Sequence, residues 1–152
     1  MPVGRGSAEI RIFLKAEMVN SPRKLELTLL PERFAISRLP GNSSLPEWAL
    51  RGSFFSITRT GDELSVVCEL ALVPSHVQSQ SGWRVLKVHG PFVLSEIGVL
   101  SSLASPLAAA RVSLFAISTF DTDYLLVAAA SLSTAMKALE QAGHKIHRSK
   151  TE

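Results

Sequence analysis

The chain has 152 residues, of which 46% are hydrophobic and 19% are charged, so it can bury a core and wholesale disorder is not expected. No apolar run reaches the roughly 18–20 residues that a membrane span needs, and the single cysteine, Cys68, excludes an intrachain disulfide and a cysteine-rich zinc site. The net charge of +3 comes from the termini, because residues 25–143 hold eight Lys/Arg against ten Asp/Glu, so a nucleic-acid surface is not expected.

The first half of the chain is predicted to form short strands separated by turns. Residues 1–22 are expected to be an extension that is partly disordered or adds a strand at 9–15. A short helical stretch is predicted from Pro46 to Leu50, and a weak helix at 73–78 is followed by a loop that begins at Ser79. Alternating apolar residues predict strands at 24–30, 34–39, 54–60 and 63–69.

The second half has clearer helix signals. One helix is expected over 96–104, ending near Pro106. Another is expected to open at Ser131 as the N-cap and to run through Ala142, with Gly143 at the position just after the helix. The predicted strands are residues 83–89, 112–119, 123–129 and 144–146.

The sequence is similar to itself at a shift of 60 residues. Segment 54–67 falls on 114–127, and Pro31 falls on Pro91. Both segments have an apolar strand, an acidic turn and a second apolar strand, as expected of a hairpin. Two equivalent hairpins indicate two structurally similar units.

The element order β-α-β-β-α-β predicts an α+β fold with two ferredoxin-like units in tandem, built from antiparallel sheets with helices on one face. The other face is left open and must pair with a second unit or a second chain. The strand at 83–89 is expected to open the second unit, so the first unit needs either the 9–15 strand or an exchanged one. The expected divisions are an extension (1–22), a first unit (23–82), a second unit (83–146) and a basic tail (147–152).

Four stretches of the sequence carry a family resemblance: residues 52–69, 82–92, 96–127 and 139–146. Through them, residues 24–146 resemble tandem ACT-domain proteins. The similarity is to small bacterial two-ACT proteins, to the ACT units of the CASTOR arginine sensors and, more distantly, to the regulatory ACT pair of aspartate kinases. It implies a regulatory module that binds an amino acid and has side-by-side sheets, and it implies no reaction.

A free amino acid presents a carboxylate and an ammonium group, and the second half offers partners for both. Gly98 lets the backbone approach closely, and the amides after it suit a carboxylate at a helix N-terminus. Asp121, Asp123 and Glu96 are candidate acceptors for the ammonium group. Phe120 is a candidate pocket wall.

The resemblance to the CASTOR sensors implies particular contacts. The Thr-Phe-x-x-Asp stretch at 119–123 and the Glu-x-Gly stretch at 96–98 match its ligand-contacting motifs. Ser113 and Leu114 match more loosely, as a facing strand from an adjacent unit. Val93 stands where that pattern has a further glycine, which leaves the ligand's identity open. The full predicted set is Glu96, Gly98, Val99, Ser113, Leu114, Thr119, Phe120, Asp121 and Asp123.

Purely structural roles compete with each of these assignments. Asp121 and Asp123 could simply terminate a strand and cap a turn. Gly98 could be a packing glycine inside a helix. Phe120 could belong to the core, and Glu96 could only complement the helix dipole.

Other chemistry is not indicated by the sequence. No serine has a placed acid–base partner and no phosphate-binding loop occurs, so neither an enzyme nor a cofactor is predicted. Cys68 lies in an apolar strand and is expected to be buried and inert. No metal site is predicted, because ligand spacing is lacking among His76, His89, His144 and His147.

The resulting hypothesis is a non-catalytic regulatory module with an amino-acid ligand. It is expected to form a homodimer whose site lies between the second units of two chains. No secretory leader is seen at the N-terminus, so a cytoplasmic location is expected. The alternative is a ligand-free scaffold that uses an exposed sheet face to bind a partner protein, and the partner that it regulates is left open.

Overall fold

The computed structural model describes residues 23–150, and in this range the chain forms eight strands and two α-helices. The expected extension at 1–22, with its possible strand, lies outside the described residues. Neither helix in the described range combines the length and apolar character required to cross a membrane. The helices are α1 (Val99–Ala109) and α2 (Leu132–Gln141). The strands are β1 (Glu26–Leu29), β2 (Phe34–Pro40), β3 (Ser56–Arg59), β4 (Glu63–Glu69), β5 (Gln78–Val88), β6 (Phe115–Ser118), β7 (Asp123–Ala128) and β8 (Lys145–Arg148).

One sheet contains all eight strands, and the long strand β5 organises it. The first part of β5 pairs antiparallel with β2, with Gln78 opposite Arg38 and Trp83 opposite Phe34. Its second part lies between β1 and β7, antiparallel to both. Strand β8 extends the sheet by pairing parallel with β1. A single strand therefore joins the two halves of the molecule.

Each half has the strand order of a ferredoxin-like unit, which confirms the predicted fold class. In the first half the order is β5-β2-β4-β3, and in the second it is β8-β1-β5-β7-β6, with β1 inserted as an extra strand. Helices α1 and α2 connect the strands of the second half. The first half has only short 3-10 turns at the equivalent places, Glu47–Leu50 and Leu70–Leu72.

The structure corrects the predicted strand assignments at the junction of the halves. The strand predicted at 24–30 was assigned to the first unit, but β1 pairs with β5 and β8 in the second half. The helix at 73–78 and the loop from Ser79 were wrong, because β5 already begins at Gln78. Residues 78–81 are polar and exposed, so they carry no apolar alternation that would indicate a strand.

Strand β5 also resolves the shortage of strands in the first unit. It was expected to serve only the second unit, yet its first part completes the first half against β2. The division at 82/83 stays a prediction, since one continuous strand runs through it. The predicted basic tail from 147 overlaps β8, which ends at Arg148.

Helix α1 continues past the residue where it was expected to stop. It ends at Ala109 with Pro106 inside it, although a proline lacks the N–H that would bond to the carbonyl four residues earlier. That carbonyl belongs to Ser102, and the buried ring of His144 donates to it from Nε2 at 3.0 Å. The other ring nitrogen of His144 accepts from the Leu25 amide at 3.1 Å. A side chain from a distant turn thus replaces the missing helical hydrogen bond.

The predicted boundaries of α2 agree with the structure to within one residue. Ser131 occupies the N-cap position, although its side chain makes no capping hydrogen bond. Gly143 has a φ of +96°, the left-handed conformation that glycine adopts at low cost just after a helix.

Apolar residues are buried on both faces of the sheet. On one face the two helices cover a cluster that includes Leu86, Leu103 and Leu125. On the other face Phe54 stacks on Tyr124, with ring centroids 4.4 Å apart, and covers a second group of buried side chains. This central cluster consists of Phe34, Val67, Val85 and Leu126, and it draws residues from both halves. The face that was expected to remain open is therefore covered at its centre.

A third buried group packs under the 3-10 turn of the first half and contains Cys68. The thiol is fully buried, as the sequence predicted. Burial, and to a smaller extent the neighbouring Glu69 carboxylate, raises the pKa of Cys68 to about 11. The thiol is therefore protonated near neutral pH, which makes it a poor nucleophile.

Candidate functional site

A cavity of about 300 Å³ opens where α1 begins and the β6–β7 hairpin turns. Seven of the nine predicted site residues line it: Glu96, Gly98, Val99, Thr119, Phe120, Asp121 and Asp123. Ser113 and Leu114 do not, since they line a different cavity of about 420 Å³ together with Arg38 and Trp83. Within one chain the structure therefore brings together the 96–99 and 119–123 segments and leaves the 113–114 segment apart.

Two threonines fix the shape of the hairpin turn. The Thr119 amide donates to the Thr122 carbonyl at 2.8 Å, and the Thr119 hydroxyl both donates to that carbonyl and accepts from the Thr122 amide. The buried Thr122 hydroxyl donates to the Val88 carbonyl at 2.7 Å, which ties the turn to β5. Sequence reasoning missed Thr122, because a threonine in a turn does not reveal a partner more than thirty residues away.

The loop that follows β5 packs directly on this turn. The Phe92 amide donates to the Asp121 carbonyl at 2.8 Å. A Cβ at Gly90 would lie only 2.8 Å from that carbonyl oxygen and 3.1 Å from the Thr122 Cβ. Gly90 is thus required by close approach of the backbone, and the loop and the turn form one wall of the cavity.

The opposite wall is the N-terminus of α1. Gly98 caps the helix with a φ of +88°, which favours glycine over any other residue. It precedes the helix, so the alternative of a packing glycine inside it is wrong. The first amides of an α-helix have no partner within the helix, and Val99 and Leu100, the first residues of α1, are among those that line the cavity. Their amides and the helix dipole favour a negatively charged group at this wall.

Carboxylates dominate the charge of the lining. Glu96 is paired with the Arg23 guanidinium at 3.2 Å, and Asp123 accepts a hydrogen bond from the Ser118 hydroxyl at 2.5 Å. Asp121 is exposed, and its backbone carbonyl accepts the hydrogen bond from the Phe92 amide. None of the described residues that line the cavity is basic. The site therefore combines a carboxylate-rich side with a helix N-terminus.

Large apolar side chains are exposed beside the cavity. This apolar rim consists of Val93, Leu94, Ile97 and Phe120, and their exposed fractions range from 66% to 85%. Phe120 lines the cavity while 80% exposed, so the alternative of a core residue is wrong. An exposed apolar group of this kind typically marks a contact surface for a ligand or another protein.

The corresponding hairpin of the first half is built differently. Its first strand, β3, ends at Arg59, whose guanidinium donates to the backbone carbonyls of Gly41 and Ser43. The 3-10 turn at Glu47–Leu50 stands in the place of α1, so the described part of the first half has no long helix whose N-terminus could face its hairpin.

Comparison with protein families gives matches along most of the described chain. Residues 78–141 match the ACT domain, and residues 32–76 match a family described as an N-terminal domain. The cytosolic arginine sensor for mTORC1 subunit 1 from Bos taurus is 32% identical over 119 residues, which are 73% of this chain and 34% of the relative. The Mus musculus protein of the same name is 33% identical over 101 residues, or 61% of this chain and 28% of the relative. The chain spans about a third of the length of these curated relatives.

Solved structures match this chain over nearly their own full length. A protein from Agrobacterium tumefaciens is 38% identical with a TM-score of 0.81, covering 86% of this chain and 97% of that one. The regulatory subunit of aspartate kinase from Thermus thermophilus shares the fold, with 14% identity and a TM-score of 0.55 over 80% of this chain and 98% of that one. A Vibrio cholerae protein has 15% identity and a TM-score of 0.68 over 84% of this chain and 97% of that one.

Proposed function

Because the chain belongs to the ACT-domain family as a tandem ACT protein, we propose that it is a regulatory module that binds a free amino acid and catalyses no reaction. The observation that carries the proposal is the cavity between Gly98 and the 119–123 turn, which is lined both by the first residues of α1 and by acidic residues. A zwitterion needs this pairing, since its carboxylate and its ammonium group require partners of opposite charge a few ångströms apart.

We infer an orientation for the ligand from the residues of the two cavity walls. The amides at Val99 and Leu100 receive the ligand carboxylate, as a helix N-terminus favours an anion. The ammonium group lies toward Asp123, and Ser118 holds that carboxylate in place through its hydroxyl. Phe120 covers the aliphatic part of the ligand.

The charge balance favours a ligand with a cationic side chain. Arg23 already pairs with Glu96, but Asp121 and Asp123 have no basic partner among the described residues that line the cavity. One carboxylate suffices for the ammonium group of the ligand, so the second is available to a side chain such as that of arginine or lysine. Relatives of the chain are named arginine sensors, which agrees with this preference.

We place the site at an interface between two chains in a cytoplasmic homodimer. The apolar rim would be covered by a second copy, which would close the open side of the cavity. Ser113 and Leu114 lie apart from the cavity of their own chain, so they reach a ligand only from the partner. A ligand held between two copies stabilises the dimer by its higher affinity for that state.

The proposal predicts a selective response in a thermal-shift screen of the twenty amino acids. Arginine or lysine should raise the melting temperature most, because only the native cavity binds it. Asp123→Asn keeps the shape of the side chain but removes its charge, and we expect it to weaken binding at least about tenfold. The matched control is Asp62→Asn, a change in the exposed turn of the first hairpin.

Each outcome of the screen has a definite meaning. A shift that is lost in the Asp123 variant and kept in the Asp62 variant supports the proposal. A shift that both variants keep would place the ligand elsewhere. No shift with any amino acid, together with dimer formation through the apolar rim, would instead support the scaffold function.

A further inference from the structure

A second group of polar side chains lies away from the cavity, where β5, β1 and β8 run side by side in the sheet. It is the histidine cluster, which consists of Glu26, His89 and His147. One ligand atom from each lies within 4.8 Å of the others. The Glu26 carboxylate is 3.7 Å from His89 Nδ1 and 3.5 Å from His147 Nε2. All three side chains are at least partly exposed, so an ion from solution can reach them.

The sheet register explains why these residues meet. The β1 and β5 strands pair with Leu27 opposite Val88, which brings Glu26 beside His89, and the His89 amide donates to the Glu26 carbonyl at 2.8 Å. The parallel pairing of β1 with β8 sets His147 opposite Thr28, two residues from Glu26 on the same face. Three distant parts of the sequence thus supply one cluster, and no local spacing could reveal it.

The cluster has the donor set of a known class of metal site. Two imidazoles and one carboxylate bind zinc in proteins, at about 2.0–2.2 Å from the ion. Ligands at that distance in a tetrahedral site are about 3.3 Å from one another. The two measured separations from Glu26, 3.5 and 3.7 Å, are close to that value.

One histidine of the cluster already has a hydrogen-bond partner at its second ring nitrogen. The Nε2 atom of His89 is 2.6 Å from the Thr28 hydroxyl. When Nε2–H donates to that hydroxyl, Nδ1 is left unprotonated and directed at Glu26, which is the tautomer that a metal needs. Histidine ligands in metal sites are usually fixed in this way through their second nitrogen.

Binding requires a small rearrangement of the rings. The rings of His89 and His147 are stacked with centroids 5.4 Å apart and an angle of 14° between them, whereas an ion must lie near both ring planes. Rotation of the partly exposed His147 ring about its terminal torsion meets this condition, since that torsion is soft. Lys87 and Lys145 stand opposite Thr28 and Glu26 in the register, so the ion competes with them for the carboxylate.

We propose that Glu26, His89 and His147 form a binding site for a divalent transition-metal ion of the zinc type. The ion binds the three side chains and keeps a water molecule in its fourth position, which is the usual arrangement when protein supplies three ligands. It joins the start of β1, the end of β5 and the last strand β8. Binding therefore stabilises the attachment of β8 to the sheet.

The test is a titration of the untagged protein with zinc chloride, followed by calorimetry and by thermal melting. We expect one zinc ion per chain and a rise in melting temperature of about 5–10 °C when free zinc is one hundred times the dissociation constant. His89→Ala and His147→Ala should each weaken zinc binding at least about tenfold. Glu26→Gln, which preserves the side-chain shape, should weaken it as well.

His76→Ala is the matched control, because His76 is exposed and precedes the start of β5, whereas His89 follows its other end. It should leave zinc binding unchanged, and circular dichroism without metal verifies that every variant is folded. The absence of saturable zinc binding would overturn the proposal. So would binding that survives both His89→Ala and His147→Ala. Neither result depends on the amino-acid site, whose residues these variants do not touch.

Discussion

Replacing Leu126 with alanine is expected to lower the free energy of unfolding by about 2–5 kcal/mol. Leu126 is fully buried in the central cluster, where it packs with Val85 from its own half and with Phe34 and Val67 from the other. The substitution leaves a cavity that the surrounding residues can close only in part, so lost apolar burial and lost packing contacts add together. The expected loss is large because Leu126 is fully buried among side chains of both halves.

Urea denaturation of the wild type and of the variant measures this effect. Leu45→Ala is the matched control, since Leu45 is 54% exposed, and it should change the free energy of unfolding by no more than about 0.5 kcal/mol. If Leu126→Ala behaved like Leu45→Ala, the sheet face at Leu126 would be open to solvent. The two halves would then not share a core.

Replacing Gly90 with alanine is expected to distort the cavity, although Gly90 itself does not line it. The added methyl group would lie 2.8 Å from the Asp121 carbonyl oxygen, so either the loop after β5 or the hairpin turn must move. Since the obstructing atom belongs to the backbone, a side-chain rotation cannot relieve the clash. Overpacking of this kind costs about 1–3 kcal/mol of stability. The displaced turn should also bind the amino acid more weakly.

Gly61→Ala provides the comparison for this change. Gly61 lies in the turn of the first hairpin, where an added Cβ would have nothing within 4 Å. We expect its melting temperature and its response to an amino acid to equal those of the wild type. A Gly90→Ala variant with wild-type stability and wild-type ligand response would mean that the loop does not support the turn.

The sequence predicts the hairpins well because their signals are local. Alternating apolar residues on both sides of an acidic turn predict β3–β4 and β6–β7, and the structure has these strands within a few residues of the expected places. The candidate site could be predicted from the sequence for a similar reason. It is made from two short segments, 96–99 and 119–123, and the family resemblance names both.

The errors arise where distant residues decide the structure. The polar residues 78–81 become strand because β2 pairs with them, although their own composition indicates a loop. Pro106 is tolerated inside α1 because His144 donates to the free carbonyl of Ser102. The histidine cluster depends on the register of three strands, which no local pattern specifies.

The most direct test of the amino-acid site is a titration followed by backbone-amide NMR of isotope-labelled protein. With arginine or lysine, the account predicts saturable shifts of the amide signals of residues 98–101 and 118–123, which form the two walls of the cavity. The signals of the first-half hairpin, residues 56–66, should not change. Shifts confined to the cavity lined by Arg38 and Trp83, or no saturable shift with any amino acid, would contradict the account.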